Sequence, residues 1–164
     1  MEFGAGGSTV WAAQIVPGNC YAIDSSIEWL DKVAANAGKN AKRVHLEFVD
    51  IGPIKEWGYP VDETCKEKFP DYSTSVWKTV DANEIDLFLV DGRFRVACFA
   101  ECVKRARADA ILLIHDYVSR PHYHVVEKIA KLVSTTDDLA VFSLNGSSQE
   151  AIAELADRYR CIAH

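Results

Sequence analysis

The sequence predicts an α/β domain with a doubly wound, mostly parallel sheet, helices on both faces and a truncated first strand. Three observations lead there. Short apolar segments alternate with amphipathic stretches along the whole chain, as repeated strand and helix units do. Four of those segments end at an acid, Asp24, Asp50, Asp91 and Asp116, which sets carboxylates along the rim where open parallel sheets hold ligands. The chain also opens on Gly4-Ala5-Gly6-Gly7-Ser8-Thr9, a glycine turn running into a helix start. Backbone can approach a ligand closely there, and unbonded N–H groups face it.

Taken in order, only Met1, Glu2 and Phe3 are available for the first strand, hence its truncation. Ser8 and Thr9 can cap a helix over residues 8–15, which Pro17-Gly18 breaks. Residues 20–24 read as a strand. The next helix is opened by a Ser25 and Glu28 capping box, carries Ile27, Leu30, Ala34 and Ala37 at helical spacing, and ends at Gly38. A third strand covers 44–49. Between 51 and 77 periodicity gives way to Pro53, Trp57, Gly58, Tyr59, Pro60, Phe69, Pro70, Tyr72 and Trp77. A connection this long is more often a lid or binding loop than a passive link; the alternative is that its aromatics pack down as a satellite core.

Residues 85–90 form an apolar parallel strand, a pattern that expects cover on both faces. The amphipathic helix at 94–107 buries Phe99, Cys102, Val103 and Ala106. A buried strand at 110–114 and a loop at 118–121 lead to a helix over 122–133, with Val125, Val126, Ile129 and Leu132 inward. A sixth strand at 139–144 precedes a last helix, opened by Ser147 and Glu150, with Ile152, Leu155 and Tyr159 on one face.

The 164 residues, 49% of them hydrophobic, suffice for a single domain with a substantial core. A net charge of -6 and a pI near 5.3 disfavour a surface built to neutralise nucleic-acid phosphates. A small molecule is the expected partner, and the composition leaves room for a homo-oligomer. Cys20, Cys65, Cys98, Cys102 and Cys161 are scattered without a CxxC pair and read as reduced thiols, neither disulfides nor zinc ligands. No apolar run reaches membrane-spanning length and the start lacks signal-peptide features, so a cytoplasmic protein is expected.

The glycine turn departs from the dinucleotide fingerprint. Thr9 stands where GxGxxG needs a third glycine, and Glu2 would oppose a pyrophosphate but suits a cationic ligand. The missing Gly-Lys-Ser/Thr rules out a P-loop. Asp24 follows Gly4 by about 20 residues, the offset at which such folds meet a ribose hydroxyl. Capping the next helix is its plainer role, and the two are compatible.

At these residues the chain resembles the class I S-adenosylmethionine-dependent methyltransferases, Rossmann-like proteins whose first motif is an acid-x-Gly-x-Gly loop. The match takes in Glu2 to Thr9, Asp24, Asp50-Ile51 and Leu89-Val90-Asp91-Gly92. More narrowly, Asp50-Ile51-Gly52-Pro53 with Trp57-Gly58, Phe69-Pro70-Asp71-Tyr72 and Val90-Asp91-Gly92-Arg93-Phe94-Arg95 look like a group of small bacterial methyltransferase-like proteins. The resemblance implies a cofactor site built from Glu2 and the turn residues Gly4, Ala5, Gly6, Gly7 and Ser8. It further implies Asp24 on the ribose with Ser25 beside it, Asp50 and Ile51 on the adenine side, and Asp91 near the reacting methyl. The acids suit the cofactor's sulfonium and ammonium, and the N–H groups of Gly6, Gly7 and Ser8 suit its carboxylate.

Methyl transfer is an in-line displacement, so the protein must align the partners, exclude water and, for a hydroxyl or amine acceptor, remove a proton. Asp91, His115 and Asp116 end adjacent strands and are the candidate catalytic residues, with His115 as general base. The alternative for His115 is a partly buried histidine bonded to a neighbouring carboxylate. Asp91 and Asp116 could instead bind a divalent ion, as in the metal-dependent O-methyltransferases; with no third ligand identifiable, no metal is assigned. Arg93, together with Arg95, could clamp an acidic acceptor or simply pair at the surface. Tyr117, His122 and His124 are further acceptor-pocket candidates. The expected activity is S-adenosylmethionine-dependent methylation of a small molecule at oxygen or nitrogen. One alternative is a non-catalytic cofactor-binding or assembly module, left open by the short first strand and the lack of an Asn-Pro-Pro-Tyr motif. A weaker one is an NAD(P)-dependent oxidoreductase, which Glu2 and Thr9 disfavour.

Overall fold

In the computed structural model, which describes residues 1–144 and 146–164, one sheet has the strand order β3-β2-β1-β4-β5-β7-β6. The strands are β1 (Glu2–Phe3), β2 (Cys20–Asp24), β3 (Val44–Phe48), β4 (Leu87–Val90), β5 (Ile111–Ile114), β6 (Ala130–Thr136) and β7 (Leu139–Leu144). The first five pair in parallel, and β7 runs antiparallel to both β5 and β6. The chain builds outward from β1 to β3 and then returns to β4 on the other side of β1. That reversal opens a crevice at the carboxyl ends of β1 and β4. Two residues suffice for β1 because it is paired on both sides, Glu2 with Ala22 and Leu89, Phe3 with Ile23 and Val90.

Helices α1 (Gly7–Ile15) and α2 (Ile27–Ala37) pack on one face over Ala5, Ala22, Leu30 and Val33. The other face carries the main core, where Phe88, Val90, Leu112, Ile114 and Phe142 meet the short α3 (Asp71–Thr74), α4 (Arg95–Arg105) and α5 (Gln149–Tyr159). Burying one such side chain contributes about 1.5–3 kcal/mol. The capping serines sit one residue later than the sequence pattern suggests. Ser26 and Ser148 accept the N–H of Trp29 and Ala151, because adjacent serines offer two cap registers, and Ser25 is buried instead. The inward stripe of α2 is Leu30, Val33 and Ala37, leaving Ile27 and Ala34 exposed.

The helix expected over 122–133 is replaced by two other elements. Pro121–Lys128 forms a 3₁₀ turn, and Ala130–Thr136 pairs with Leu139–Leu144 as a hairpin across Asp137-Asp138, with Asp137 at φ 49°. The apolar spacing mimicked a helix, but Val133, Thr135 and Thr136 are β-branched and an Asp pair favours a turn. Strand 139–144 is therefore the seventh, not the sixth. The strand at 85–90 begins at Leu87, after a 3₁₀ turn at Ala82–Glu84. Cover on both faces also fails. Leu87 and Ile111 are 42% and 45% exposed, and among the described residues only the face bearing Phe88 and Leu112 is fully packed.

The 51–77 connection divides between its two expectations. Phe69 and Tyr72 enter the main core against Phe94. Residues 53–61 instead form a tight hairpin, with Ile54 bridged to Pro60, Lys55 N–H donating to the Tyr59 carbonyl at 2.8 Å, and Val61 N–H to that of Pro53 at 2.9 Å. Its tip, Trp57, is 85% exposed.

The ends of β1 and β4 approach more closely than any side chain permits. A Cβ on Gly4, at φ +99°, would lie 2.4 Å from the Gly92 nitrogen, and one on Gly92 would lie 2.2 Å from the Tyr72 hydroxyl. Gly4→Ala should therefore cost about 3 kcal/mol. Gly7→Ala, with open space around its Cβ, should stay within about 0.5 kcal/mol of the parent. Urea midpoints of the two variants check this contrast.

Candidate functional site

The glycine turn follows β1, Asp24 ends β2, Asp91 follows β4, and His115-Asp116 follows β5, so these groups share the carboxyl-end crevice. Asp50 follows β3 on the same rim. Its side chain is 55% exposed and paired with Lys68 at 2.6 Å, a hydrogen bond that lowers its carboxyl pKa. Ile51 turns into the core.

The turn is held from beneath. Gly4 N–H donates to the Ile23 carbonyl at 2.8 Å, Ala5 N–H to Asp24 Oδ2 at 3.1 Å, and Gly6 N–H to Thr9 Oγ1 at 3.0 Å. Glu2, buried at the end of the sheet, accepts the hydroxyls of Ser8 and Thr9 on its two oxygens. Thr9, standing where a third glycine would be, thus ties the turn to the sheet. Gly7 and Ser8 open α1, whose first N–H groups have no carbonyl a turn earlier to bond. Asp24 accepts Ser26 N–H on Oδ1 at 2.8 Å as well as Ala5 on Oδ2. Each oxygen keeps acceptor capacity for a ligand hydroxyl. Burial raises its carboxyl pKa, opposed by the backbone bonds from Ser26 and Ala5 and by the charge of Arg93.

Arg95 organises the other half. It is 2% exposed; its Nε donates to the Gly92 carbonyl at 2.9 Å and its Nη1 to the His115 carbonyl at 2.6 Å. Its Nη2 lies 3.2 Å from Asp91 Oδ1 and 3.0 Å from Asp116 Oδ2, and the guanidinium faces the Tyr123 ring at 5.5 Å. Arg120 Nη2 reaches the same Asp116 oxygen at 2.9 Å. Two flanking residues adopt left-handed backbone, Phe94 at φ 52° and Asp116 at φ 58°, conformations that persist in non-glycine residues where surrounding contacts enforce them. His115 Nδ1 is 3.1 Å from Asp91 Oδ1 and 3.1 Å from Asp116 Oδ1, an ion-pair approach without hydrogen-bond alignment to either. Its side chain is 44% exposed.

Asp91, His115 and Asp116 bring ligand atoms within 4.8 Å of one another, but the donor set does not fit a divalent ion. The two carboxylates already share the Arg95 guanidinium, and Asp116 also binds Arg120, so a dication would be set against two fixed positive charges.

Arg93 stands on the opposite side of the crevice from this cluster. Its guanidinium stacks on Tyr59 at 4.1 Å, and the point where a Gly58 Cβ would sit is 3.6 Å from Ser25 Oγ and 3.9 Å from Arg93 Cγ. Tyr117 is buried, its hydroxyl donating to Glu127 at 2.5 Å and its ring edge-on to Phe142. His124 supports it, with Nε2 at 3.1 Å from the Tyr117 carbonyl. His122 is exposed beside His164; partial burial, then its cationic neighbours, lower its pKa. None of these three contacts the Asp91–His115–Asp116 cluster among the described contacts. Sequence reasoning missed Arg95 as an internal cation and Tyr59 as the cover on Arg93. The signal for the first is an arginine inside the apolar run Phe94 to Cys102. A groove of about 410 Å³ lies elsewhere, between Tyr21, His45 and Glu47 on the sheet and Val76, Thr79 and Val80. It holds none of the crevice residues.

This strand order, with a glycine turn after β1 and an acid ending β2, defines a nucleotide-type α/β crevice. The comparisons narrow it. No protein-family model matches the chain, and no curated protein matches it. A solved structure of a methyltransferase-like protein (spo2022) from Silicibacter pomeroyi DSS-3 is 31% identical, with a TM-score of 0.85 over 98% of this chain and 86% of that one. Cofactor-bound Rv0187 from MTB shares the fold at 15% identity, with a TM-score of 0.60 over 87% of this chain and 71% of that one. The chain belongs to the class I S-adenosylmethionine-dependent methyltransferase superfamily, alongside the methyltransferase-like protein. No helix among the described residues is long and apolar enough to cross a membrane.

Two outcomes follow from this geometry. Arg95→Met removes the cation shared by Asp91 and Asp116, leaving Arg120 on Asp116 alone, and should cost about 3 kcal/mol, a fall in Tm on the order of 10 °C. Arg95→Lys should not restore it, since an ammonium cannot span the same four partners. Burial holds the Glu2 carboxyl above its ordinary 4.5, so the folded state binds that proton more tightly than the unfolded chain. Its contribution to stability is full at low pH and declines as pH rises from about 4.5 through the folded value. Glu2→Gln should flatten that part of a plot of denaturant midpoint against pH, leaving the slope due to Asp24, which burial shifts the same way.

Proposed function

We propose that the protein is an S-adenosylmethionine-dependent methyltransferase acting on a small-molecule acceptor at oxygen or nitrogen. One observation carries the reading. A glycine turn with Asp24 beside it and a histidine between two carboxylates stand at the ends of neighbouring strands around one crevice. The first N–H groups of α1, at Gly7 and Ser8, suit the cofactor's carboxylate. Asp24, with an acceptor position left on each oxygen, suits its ribose hydroxyls. Glu2 works from below: its bonds to Ser8 and Thr9 fix the turn's shape, and its charge adds to the field felt by a cation above.

When bound, the sulfonium cofactor supplies the methyl group. The chain's own task is to align the acceptor and to take a proton from it. His115 is placed for the proton: its Nδ1 side faces Asp91 and Asp116, which fix the ring and stabilise it once charged, leaving Nε2 for an acceptor hydroxyl or amine. Arg95 holds the two carboxylates and so holds the base in register. Asp91 and Asp116 are positioning residues on this account.

Calorimetry with S-adenosylhomocysteine tests the cofactor assignment: wild type should bind it, and Asp24→Ala should bind it at least about tenfold more weakly. No binding at millimolar ligand by folded protein would end the assignment. His115→Ala should keep that affinity while lowering turnover by roughly 10²–10⁴-fold. Chelator should leave activity unchanged; loss restored by Mg²⁺ would contradict the arginine-held carboxylate pair. Binding without transfer to any acceptor of a broad panel would favour a non-catalytic cofactor-binding module.

A further inference from the structure

Among the described residues, the buried Arg93 has the Tyr59 ring against its guanidinium but no ion-pair partner. It is 7% exposed, its Nε and Nη1 are sealed from solvent without a hydrogen bond, and the Tyr59 ring is its one close contact of cationic character. A desolvated guanidinium left with unbonded N–H groups is costly, so the position is paid for by something other than the fold. Its surroundings indicate what. Arg93 Cγ and Ser25 Oγ both lie within 4 Å of the same point beside Gly58, and its charge is felt by Asp24. It therefore flanks the acid at the end of β2, on the far side of β1 from His115.

A carboxylate and a guanidinium side by side do not favour an anion, because Asp24 would repel it. They match a group that donates and accepts at once. A vicinal diol does both: its hydroxyl hydrogens go to Asp24, and its oxygens accept from Arg93. We propose that Arg93 is a ribose-recognition residue of the cofactor site, not a clamp for an acidic acceptor, and that the 53–61 hairpin closes over the ribose by stacking Tyr59 on it. Gly58, at φ +74°, gives the hairpin the left-handed turn that leads into Tyr59. The inference rests on the cofactor assignment made above.

Calorimetry of wild type and Arg93→Met with S-adenosylhomocysteine, adenosine, 2′-deoxyadenosine and 3′-deoxyadenosine tests it, with circular dichroism to establish folding. Methionine keeps the length of the side chain and removes an unpaired charge, so thermal stability without ligand should hold or rise. Affinity for S-adenosylhomocysteine and adenosine should fall about tenfold or more, the loss of one charge-assisted hydrogen bond. The preference of wild type for adenosine over at least one deoxyadenosine should shrink in the variant. Unchanged affinities in folded Arg93→Met, or an effect confined to the KM of an acceptor, would overturn the proposal while leaving the cofactor site standing. Wild type that binds neither S-adenosylhomocysteine nor adenosine would overturn both. Should Arg93→Met fail to fold, Arg93→Gln and the wild-type preference among the three nucleosides give the same reading: no such preference contradicts the proposal.

Discussion

The buried guanidinium of Arg95 fixes the reactive side of this molecule. Strands β4 and β5 are paired by their backbones as far as Asp91 and His115, whose N–H groups donate to the Phe3 and Val90 carbonyls; beyond that point the two ends are joined through side chains. One side chain binds them: Arg95 takes the carbonyls of Gly92 and His115 and the carboxylates of Asp91 and Asp116. A guanidinium can do this because its five N–H groups lie in one rigid plane. The left-handed backbone at Phe94 and Asp116 is the cost of turning both segments toward that plane. The charge of the cluster closes only with a second cation, Arg120, which reaches Asp116 beside Arg95, so that two arginines face the two carboxylates.

The cofactor side depends on a different constraint, closeness of backbone. Gly4 and Gly92 touch where β1 and β4 end, which brings the glycine turn and Asp91 into one crevice even though β1 contributes only two residues. Glu2, Thr9 and Asp24 then hold the turn open by hydrogen bonds to its N–H groups and to the hydroxyls of α1. One half is fixed by charge and the other by steric fit. Neither constraint relies on the exposed faces of β4 and β5.

Much of this was legible in the sequence, for reasons that can be named. Alternating apolar segments, four of them closed by an acid, are a direct imprint of parallel strands ending at a common rim, and Asp24, Asp91 and Asp116 stand at strand ends along it. What the imprint does not carry is the partner of each acid, such as the pairing of Asp50 with Lys68. The hairpin of β6 and β7 was hidden because Val125, Val126, Ile129 and Leu132 satisfy a helical period that the β-branched residues after them override. Arg95 and Arg93 were read alike as clamps on an acceptor. What distinguishes them is three-dimensional: Arg95 is bonded inward to two carbonyls and two carboxylates, whereas the Arg93 guanidinium stacks on the face of Tyr59, a contact made by a loop with no periodicity to announce it.

The central claim is that the glycine turn, the end of β2 and the end of β4 form one site for an adenosine-bearing sulfonium cofactor. Backbone amide spectra recorded during titration with S-adenosylhomocysteine test it most directly. The account predicts saturable shifts at Gly6 to Ser8, Ser25-Ser26 and Asp91 to Arg93, reaching Tyr59 as the hairpin settles. Shifts confined to the groove between Tyr21, His45 and Val80, or none at millimolar ligand, would contradict it.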